Sequence, residues 1–475
     1  MDQVDLALER FGLGARPGDR ERVGDPVRWL SNQVSPAAAY PASLAGLAGS
    51  SARQVAAAGQ ELDARKRSGR AALEEELKAR LQVAFTTDTP FAERWVRHFS
   101  NQFTVSTRQL TTALYAGSFE REVVRTYAFG RFSDMLLAST QHPAMLAYLD
   151  NQRSVGPQSA FAQRAVTDPK RGKDTNKGTL GLNENLAREV LELHALGADG
   201  GYTQDDVRSL AVLITGWGSD TNGKHGGGFY FDRSKHQPGT VTILGKRYGD
   251  GLDEGVRAIR DIAAHPSVAR NVARRLARHF RVSDPSAIAK LEAAFLDTDG
   301  RLDELARVLI SLPAAWSGSG IIRTPDDWLT ALVRASGSVS SFLPAPRGKS
   351  ATVGLSAVAG GEKKGSSRSA SGKRQRDSWT KTMRSLGQLT WSAASPEGFP
   401  DDEASWTGPE QLVRRVEVAA ELAAGLVRAG DDAFANVQAT LVPRMSEPGR
   451  KLFDRAGDRA TALTLAFCAP EVLRR

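Results

Sequence analysis

Apolar residues recur at intervals of three and four along most of this chain, the spacing of one buried face of an α-helix. That period predicts short helices at 4–12 and 25–35, with Asp25 and Pro26 as an N-cap and first-turn pair. It predicts a long, largely solvated helix over 52–85, where alanines alternate with Glu61, Arg65, Glu74, Glu75, Glu76, Lys78 and Arg80. Phe91, Trp95, Phe99 and Phe103 follow at four-residue spacing, in a helical stretch that also carries His98, Asn101 and Gln102. They read as one stripe of core. Further helices are expected near 119–128, 131–141, 253–264, 267–281, 285–296, 301–311, 326–340, 379–386 and 409–428, with a final pair ending at Arg475. Residues 36–50 and 152–180 read as loop. The period switches to two only around 226–245, where Gly226–Phe231 and Thr240–Leu244 flank Ser234-Lys-His-Gln-Pro-Gly239. One small β-hairpin is expected there.

A second pattern is punctuation. An apolar helix end runs into proline at Pro143, Pro266, Pro313 and Pro470. The residue before proline is pushed out of the α region, while proline is pre-set for a first helical turn. Each copy is therefore a helix–break–helix joint. His142 and His265 sit at two of these joints and read as capping or packing residues. The fold class that follows is mainly α: a multi-helix globular body with helix–Pro–helix joints and one small hairpin.

The most patterned stretch runs from Gly181 to Trp217. It reads as a helix, a Gly-rich turn and a second helix, the latter opened by a Thr203/Asp206 capping box. On a wheel of about 100° per residue, Glu184, Arg188, Glu192, Asn185 and Glu189 share one face, behind Asn183 as cap. His194 falls about 200° from Glu192, on the apolar side. Glu189 and Glu192 stand at i,i+3, a spacing that lets two carboxylates share a cation or a proton. The catalytic candidates are thus Glu189, Glu192, Glu184 and Arg188. The metal candidates are Glu189 and Glu192, with His236 from the hairpin tip. A structural ion-pair network of Glu184, Arg188 and Glu192 is the competing reading. The second helix carries no basic cluster, which argues against a DNA-reading pair.

Composition narrows the class. The chain has 475 residues, 41% hydrophobic and 25% charged, a balance that fits a globular protein. No apolar run is long enough to span a bilayer. The N-terminus shows no basic, apolar export signal, so the default compartment is the cytoplasm, with co-export beside a partner left open. Cys468 is the lone cysteine, which excludes an internal disulfide and a cysteine-rich zinc site. Net charge is +9, but eight basic residues against Glu362 and Asp377 place +6 of it between Arg347 and Asp377. The rest is close to neutral for its size, so nucleic acid is not the expected partner. The Gly/Ser/Lys/Arg composition of 345–378 predicts a disordered linker or insertion. It separates a main helical domain, 1–344, from a C-terminal helical segment, 379–475, that packs on it.

Several words of the sequence resemble one bacterial family. They are Arg10-Phe-Gly-Leu-Gly14, His142-Pro-Ala-Met-Leu-Ala-Tyr-Leu-Asp-Asn151, Asn183-Glu-Asn-Leu-Ala-Arg-Glu-Val-Leu-Glu-Leu-His194, Tyr202-Thr-Gln-Asp-Asp-Val207, Thr215-Gly-Trp217 and Phe399-Pro-Asp-Asp402 to Trp406. Together they resemble domain of unknown function 1800 over nearly the whole chain outside the linker. The resemblance implies a mainly helical fold and leaves activity and cofactors unassigned. It also implies an association with a sulfatase-like family, domain of unknown function 1501. Two positions depart from the family pattern: Gln102 stands where histidine is usual, and Gln237 where an acid is usual. Both replace an ionisable group with a neutral amide. The expectation drawn is a helical scaffold or accessory protein working with a partner. The alternative is a metal-assisted hydrolase built on the Glu-rich stripe, and whether the chain is an enzyme stays open.

Overall fold

The structure, a computed structural model, describes residues 2–108, 110–167, 181–342 and 378–475. The predicted disordered linker at 345–378 lies outside these residues but for Ser378, which opens a helix. The remainder is mainly helical, with two small two-stranded antiparallel sheets.

The elements that matter for the site are α1 (Leu62–Thr86), α2 (Pro90–Gln102), α3 (Asn185–Glu189, continuing as a π-helical stretch Val190–Leu196), α4 (Gln204–Leu213), α5 (Pro266–Phe280), α6 (Pro325–Ser336) and α7 (Pro409–Ala429). All four proline joints open a helical turn. His142 and His265 are their caps: each ring Nδ1 accepts from the backbone N–H two residues on, at 3.1 and 3.2 Å. The Thr203/Asp206 capping box is present at the start of α4.

Two apolar cores organise the chain. The larger is built around Phe91, Trp95, Phe99 and Phe103, all fully buried, and extends to Phe280 and Leu309. The second joins Leu81 and Phe85 of α1, Trp328 and Leu332 of α6, and C-terminal residues from Trp379 to Val472. The C-terminal segment thus completes a core begun elsewhere in the chain. Its last strand-like contact pairs Arg475 with Ile321 through both backbone groups, at 2.9 and 3.0 Å.

Three expectations change. The single hairpin is replaced by two separate pairs. β1 (Trp217–Ser219) pairs with β2 (Phe229–Phe231), and β3 (Val241–Ile243) pairs with β4 (Lys246–Tyr248). The predicted strand segments exist, but each takes a different partner. Gly226, Gly227 and Gly228 all have positive φ and form a turn, not the start of a strand. The tight β3–β4 turn uses Leu244 and Gly245, both at positive φ, and a leucine there hides the turn signal. The expected 52–85 helix is interrupted into Ser50–Ala57 and Leu62–Thr86, and Glu76 and Arg80 on it are buried, not solvated. Within the 152–180 stretch read as loop, Ala160–Thr167 is helical.

The buried charges form a continuous lattice. Arg125 bridges Glu93 at 2.7 Å and Glu120 at 2.9 Å, and Arg80 adds to Glu120 at 3.0 Å. Arg97 meets Asp326 at 2.9 Å, while Arg94 and Arg475 both meet Asp327, at 3.0 and 3.1 Å. Burial alone would raise the Asp327 carboxyl, but Arg94, Arg475 and Arg97 hold it well below the usual range. These pairs tie α1 and α2 to α6 and to the chain's last residue, along the seam between the two cores.

Candidate metal centre

The polar face of α3 is as the wheel places it, and most of its groups are already engaged. Asn183 accepts from the Asn185 N–H at 2.9 Å, just ahead of the helix. Arg188 donates to Glu184 at 3.3 Å and to Gln204 at 2.8 Å, and Gln204 donates to Glu184 at 2.7 Å. Tyr202 donates to Glu192 at 2.9 Å. Glu189 is half-buried; burial first and the Glu192 charge second push its carboxyl up to about 7. His194 is buried against Phe103, and burial drives its imidazole down to about 3. Its backbone carbonyl accepts from Gln102 at 2.9 Å, so Gln102 serves as a structural hydrogen-bonder to the π-helical stretch.

His236 is committed elsewhere. Its Nδ1 faces the Thr215 carbonyl at 2.9 Å, and its Nε2 accepts from the Gly251 N–H at 2.8 Å. Its neighbours Thr215, Phe231 and Gly251 are not those of Glu189 and Glu192, which are Tyr148, Arg188 and Tyr202. Gln237 binds Gln158 through its side-chain oxygen, which accepts from the Gln158 N–H at 2.8 Å. Both departures from the family pattern therefore hold backbone in place.

A different set of ligand-type side chains converges at the core seam. His98 of α2, His279 of α5 and Asp401 bring one ligand atom each to within 4.8 Å of one another. His98 is 2% exposed and His279 9%. None of the four ring nitrogens has a hydrogen-bond partner among the described residues. Burial lowers both imidazoles, strongly for His98; His279 adds to it at His98, Arg475 adds at both, and Asp401 opposes. The shift favours the neutral form, which keeps a lone pair for a ligand bond.

Local sequence explains the convergence. His98 and Asn101 lie one turn apart on α2 and present the same face. The Asn101 side chain donates to the Phe399 carbonyl at 2.9 Å and accepts from the Phe399 N–H at 2.8 Å. This clamp fixes Asp401 two residues further on. Gly398 has φ +90° and stands where a Cβ would come within 2.5 Å of the Asn101 carbonyl, so only glycine permits the approach. Asp401 Oδ1 then lies 3.8 Å from His279 Nδ1. Two ligands on a tetrahedral ion with bonds near 2.1 Å stand about 3.4 Å apart, so rings and loop would close from separations of up to 4.8 Å to seat an ion. His279 and Asp401 also line a cavity of about 90 Å³ shared with Arg80, Asn101, Asp326, Thr390 and Trp391. It opens the trio to the outside on one flank.

The sequence reading missed this trio. His98 lay in a stretch read for its aromatics, His279 ended an ordinary amphipathic helix, and Asp401 sits some three hundred residues from His98. No spacing rule joins them. The traces that were visible are the Phe399-Pro-Asp-Asp402 words and the adjacent Asn101.

A family model described as "Protein of unknown function (DUF1800)" matches residues 6–474. The chain belongs to this family. No curated protein and no solved structure matches it. As a DUF1800 member it carries its Asn101 clamp, its buried imidazole pair and the Asp401 loop within the matched span.

Proposed function

We propose that this chain is a metal-dependent protein of hydrolase type, with a mononuclear divalent centre held by His98, His279 and Asp401. The observation that carries the reading is the pair of buried imidazoles with four partnerless nitrogens beside a carboxylate. A buried polar group without a partner costs about 1–3 kcal/mol, and native folds rarely retain several in one place. Two neutral imidazoles and one carboxylate form a donor set suited to zinc or iron(II), with three protein ligands and open positions for water and substrate. Such an ion lowers the pKa of bound water towards neutrality and polarises an oxygen of the bound ligand. The open flank towards Asp326 and Trp391 is where that ligand would enter.

The Glu-rich stripe is the weaker seat for a metal, because Glu184 and Glu192 are already hydrogen-bonded and His236 is committed to backbone groups. A helical scaffold acting with a sulfatase-like partner is the other reading; the partner rests on resemblance, and the scaffold on the neutral amides Gln102 and Gln237 and on a sequence without a complete catalytic constellation. That reading gives no account of two imidazoles placed side by side in a core, ring centroids 4.9 Å apart.

The test is metal content of the purified full-length chain by elemental analysis, followed by Zn²⁺ and Co²⁺ titration after chelation. One equivalent is expected, lost in His98→Ala and in His279→Ala and retained in Glu189→Gln and Glu192→Gln. Equal binding by the unaltered protein and His279→Ala would sink the assignment, as would no stoichiometric binding at all.

A further inference from the structure

The cavity that opens the trio to solvent has its own chemistry. Arg80 is about nine-tenths buried and its Nη1 has no hydrogen-bond partner. The nearest carboxylate oxygen, Asp326 Oδ2, is 3.8 Å away, too long for a hydrogen bond. The other Asp326 oxygen, Oδ1, is also without a partner, as is Thr390 Oγ1. All three residues line the same cavity as His279 and Asp401. An orphaned donor and an orphaned acceptor a few ångströms apart are both satisfied by one group that donates and accepts at once. A hydroxyl is that group.

Charge excludes the obvious alternatives. Asp326, Asp327 and Asp401 line the cavity and oppose a phosphate or sulfate, while Arg80 and Arg97 oppose an ammonium group. The rest of the lining includes apolar side chains, Trp391, Phe399, Pro400, Val105 and Ala393, with the Arg80 guanidinium 5.8 Å from the Trp391 ring centroid. Trp391 is held at φ +51°, a left-handed conformation costly for a bulky side chain, with its indole N–H donating to Glu120 at 3.1 Å. An apolar ring beside hydroxyl-matched polar groups is the pattern that receives the edge of a sugar ring, whose C–H face is apolar and whose rim is hydroxylated. The cavity is too small for a whole saccharide, so one edge of a larger molecule enters.

We propose that the cleft beside His279 and Asp401 binds a neutral, hydroxylated ligand of the saccharide class, with Arg80, Asp326 and Thr390 on its hydroxyls and Trp391 against its apolar face. This rests on the metal-centre reading for its chemistry but not for its binding.

The experiment is saturation-transfer NMR on the full chain, metal-loaded and chelator-treated. The probes are neutral mono- and oligosaccharides, with a sulfated monosaccharide and a dipeptide as comparators. Neutral saccharides are expected to bind, and Thr390→Val to weaken them about threefold to tenfold, the loss of one neutral hydrogen bond. Because the Thr390 hydroxyl has no partner in the protein, valine should leave the fold and the metal content unchanged. Trp391→Leu, checked for folding by circular dichroism, is expected to weaken binding as well. Absence of any signal from neutral saccharides overturns the proposal, as does stronger binding of the sulfated sugar or of the dipeptide, or unaltered binding by Thr390→Val. If metal binds and saccharides do not, the ligand class alone falls; if saccharides bind and no metal does, the metal centre alone falls.

Discussion

Asn101→Ala separates the role of the loop clamp from that of the ligands. The alanine removes both hydrogen bonds to Phe399, at 2.9 and 2.8 Å, while leaving His98, His279 and Asp401 in place. Each such bond contributes about 0.5–1.5 kcal/mol net, and Asn101 is half-buried, so the pair is worth about 1–2 kcal/mol. That energy now holds the segment of Gly398 to Asp401 against α2 before any ion arrives. Without it, metal binding must order the loop itself, and the affinity falls by the same free energy, about fivefold to thirtyfold. A supporting hydrogen bond outside a metal's own ligands typically has this weight. The assay is competition for Zn²⁺ against a chromophoric chelator, with Co²⁺ absorption reporting the coordination geometry. Asn101→Asp is the matched variant: it still accepts from the Phe399 N–H but sets a carboxylate against the Phe399 carbonyl, and it should lose at least as much. If Asn101→Ala lowers the denaturation midpoint yet binds Zn²⁺ within twofold of the unaltered protein, while His279→Ala binds none, the clamp does not position Asp401.

Two further outcomes follow from the buried charges. Arg125 is 1% exposed and pairs with both Glu93 and Glu120; Arg125→Met leaves Glu120 to Arg80 but Glu93 with only Arg97 at 3.8 Å, and should cost about 3–5 kcal/mol, read as a lower denaturant midpoint with an unchanged slope. A loss under 1 kcal/mol would mean that the lattice is solvated. Glu189 has a folded-state pKa raised to about 7 by burial and then by Glu192, so the native state holds a proton that the unfolded chain releases near pH 4.5. Stability therefore falls as pH rises from about 4.5 to 7 and stays lowered above it. Glu189→Gln should be more stable than the unaltered protein at pH 8 and indistinguishable at pH 4.5, by thermal denaturation at the two pH values; an unchanged difference across that range would refute the shift.

The helices were legible because their signals are local. Asp25 before Pro26, Thr203 with Asp206, and the four proline joints each encode a helix start in two to four residues, and all stand in the fold. The strands were legible as strands but not as pairs. Pairing is a tertiary choice, and the β3–β4 turn at Leu244-Gly245 gives it away only once a leucine is known to occupy positive φ. Burial of charge was the least legible. Glu76 and Arg80 alternate with alanines like residues of a solvated helix. What buries them is the approach of Gly117 to Glu76 and of Glu120 to Arg80, contacts some forty residues away in sequence.

The same reasoning explains why the Glu-rich stripe of α3 stood out and the trio at the seam did not. A helix displays its face in sequence, so five polar residues at helical spacing are conspicuous whether they bind a ligand or only one another. In the fold Glu184 and Arg188 bind each other, and Gln204 and Tyr202, from outside the stripe, engage Glu184, Arg188 and Glu192. A site assembled from α2, α5 and a C-terminal loop leaves each member alone among residues of another kind. Its members are recognisable by what they lack: both ring nitrogens of His98 and of His279 are buried without a hydrogen-bond partner among the described residues, whereas His194 has one such nitrogen and His142, His236 and His265 have a backbone partner each. The contrast within one chain is what singles out the pair. A fold that caps and satisfies three of its histidines has not left two others bare by carelessness of packing, and Asn101 and Gly398 bring a carboxylate to the spot where those bare nitrogens meet.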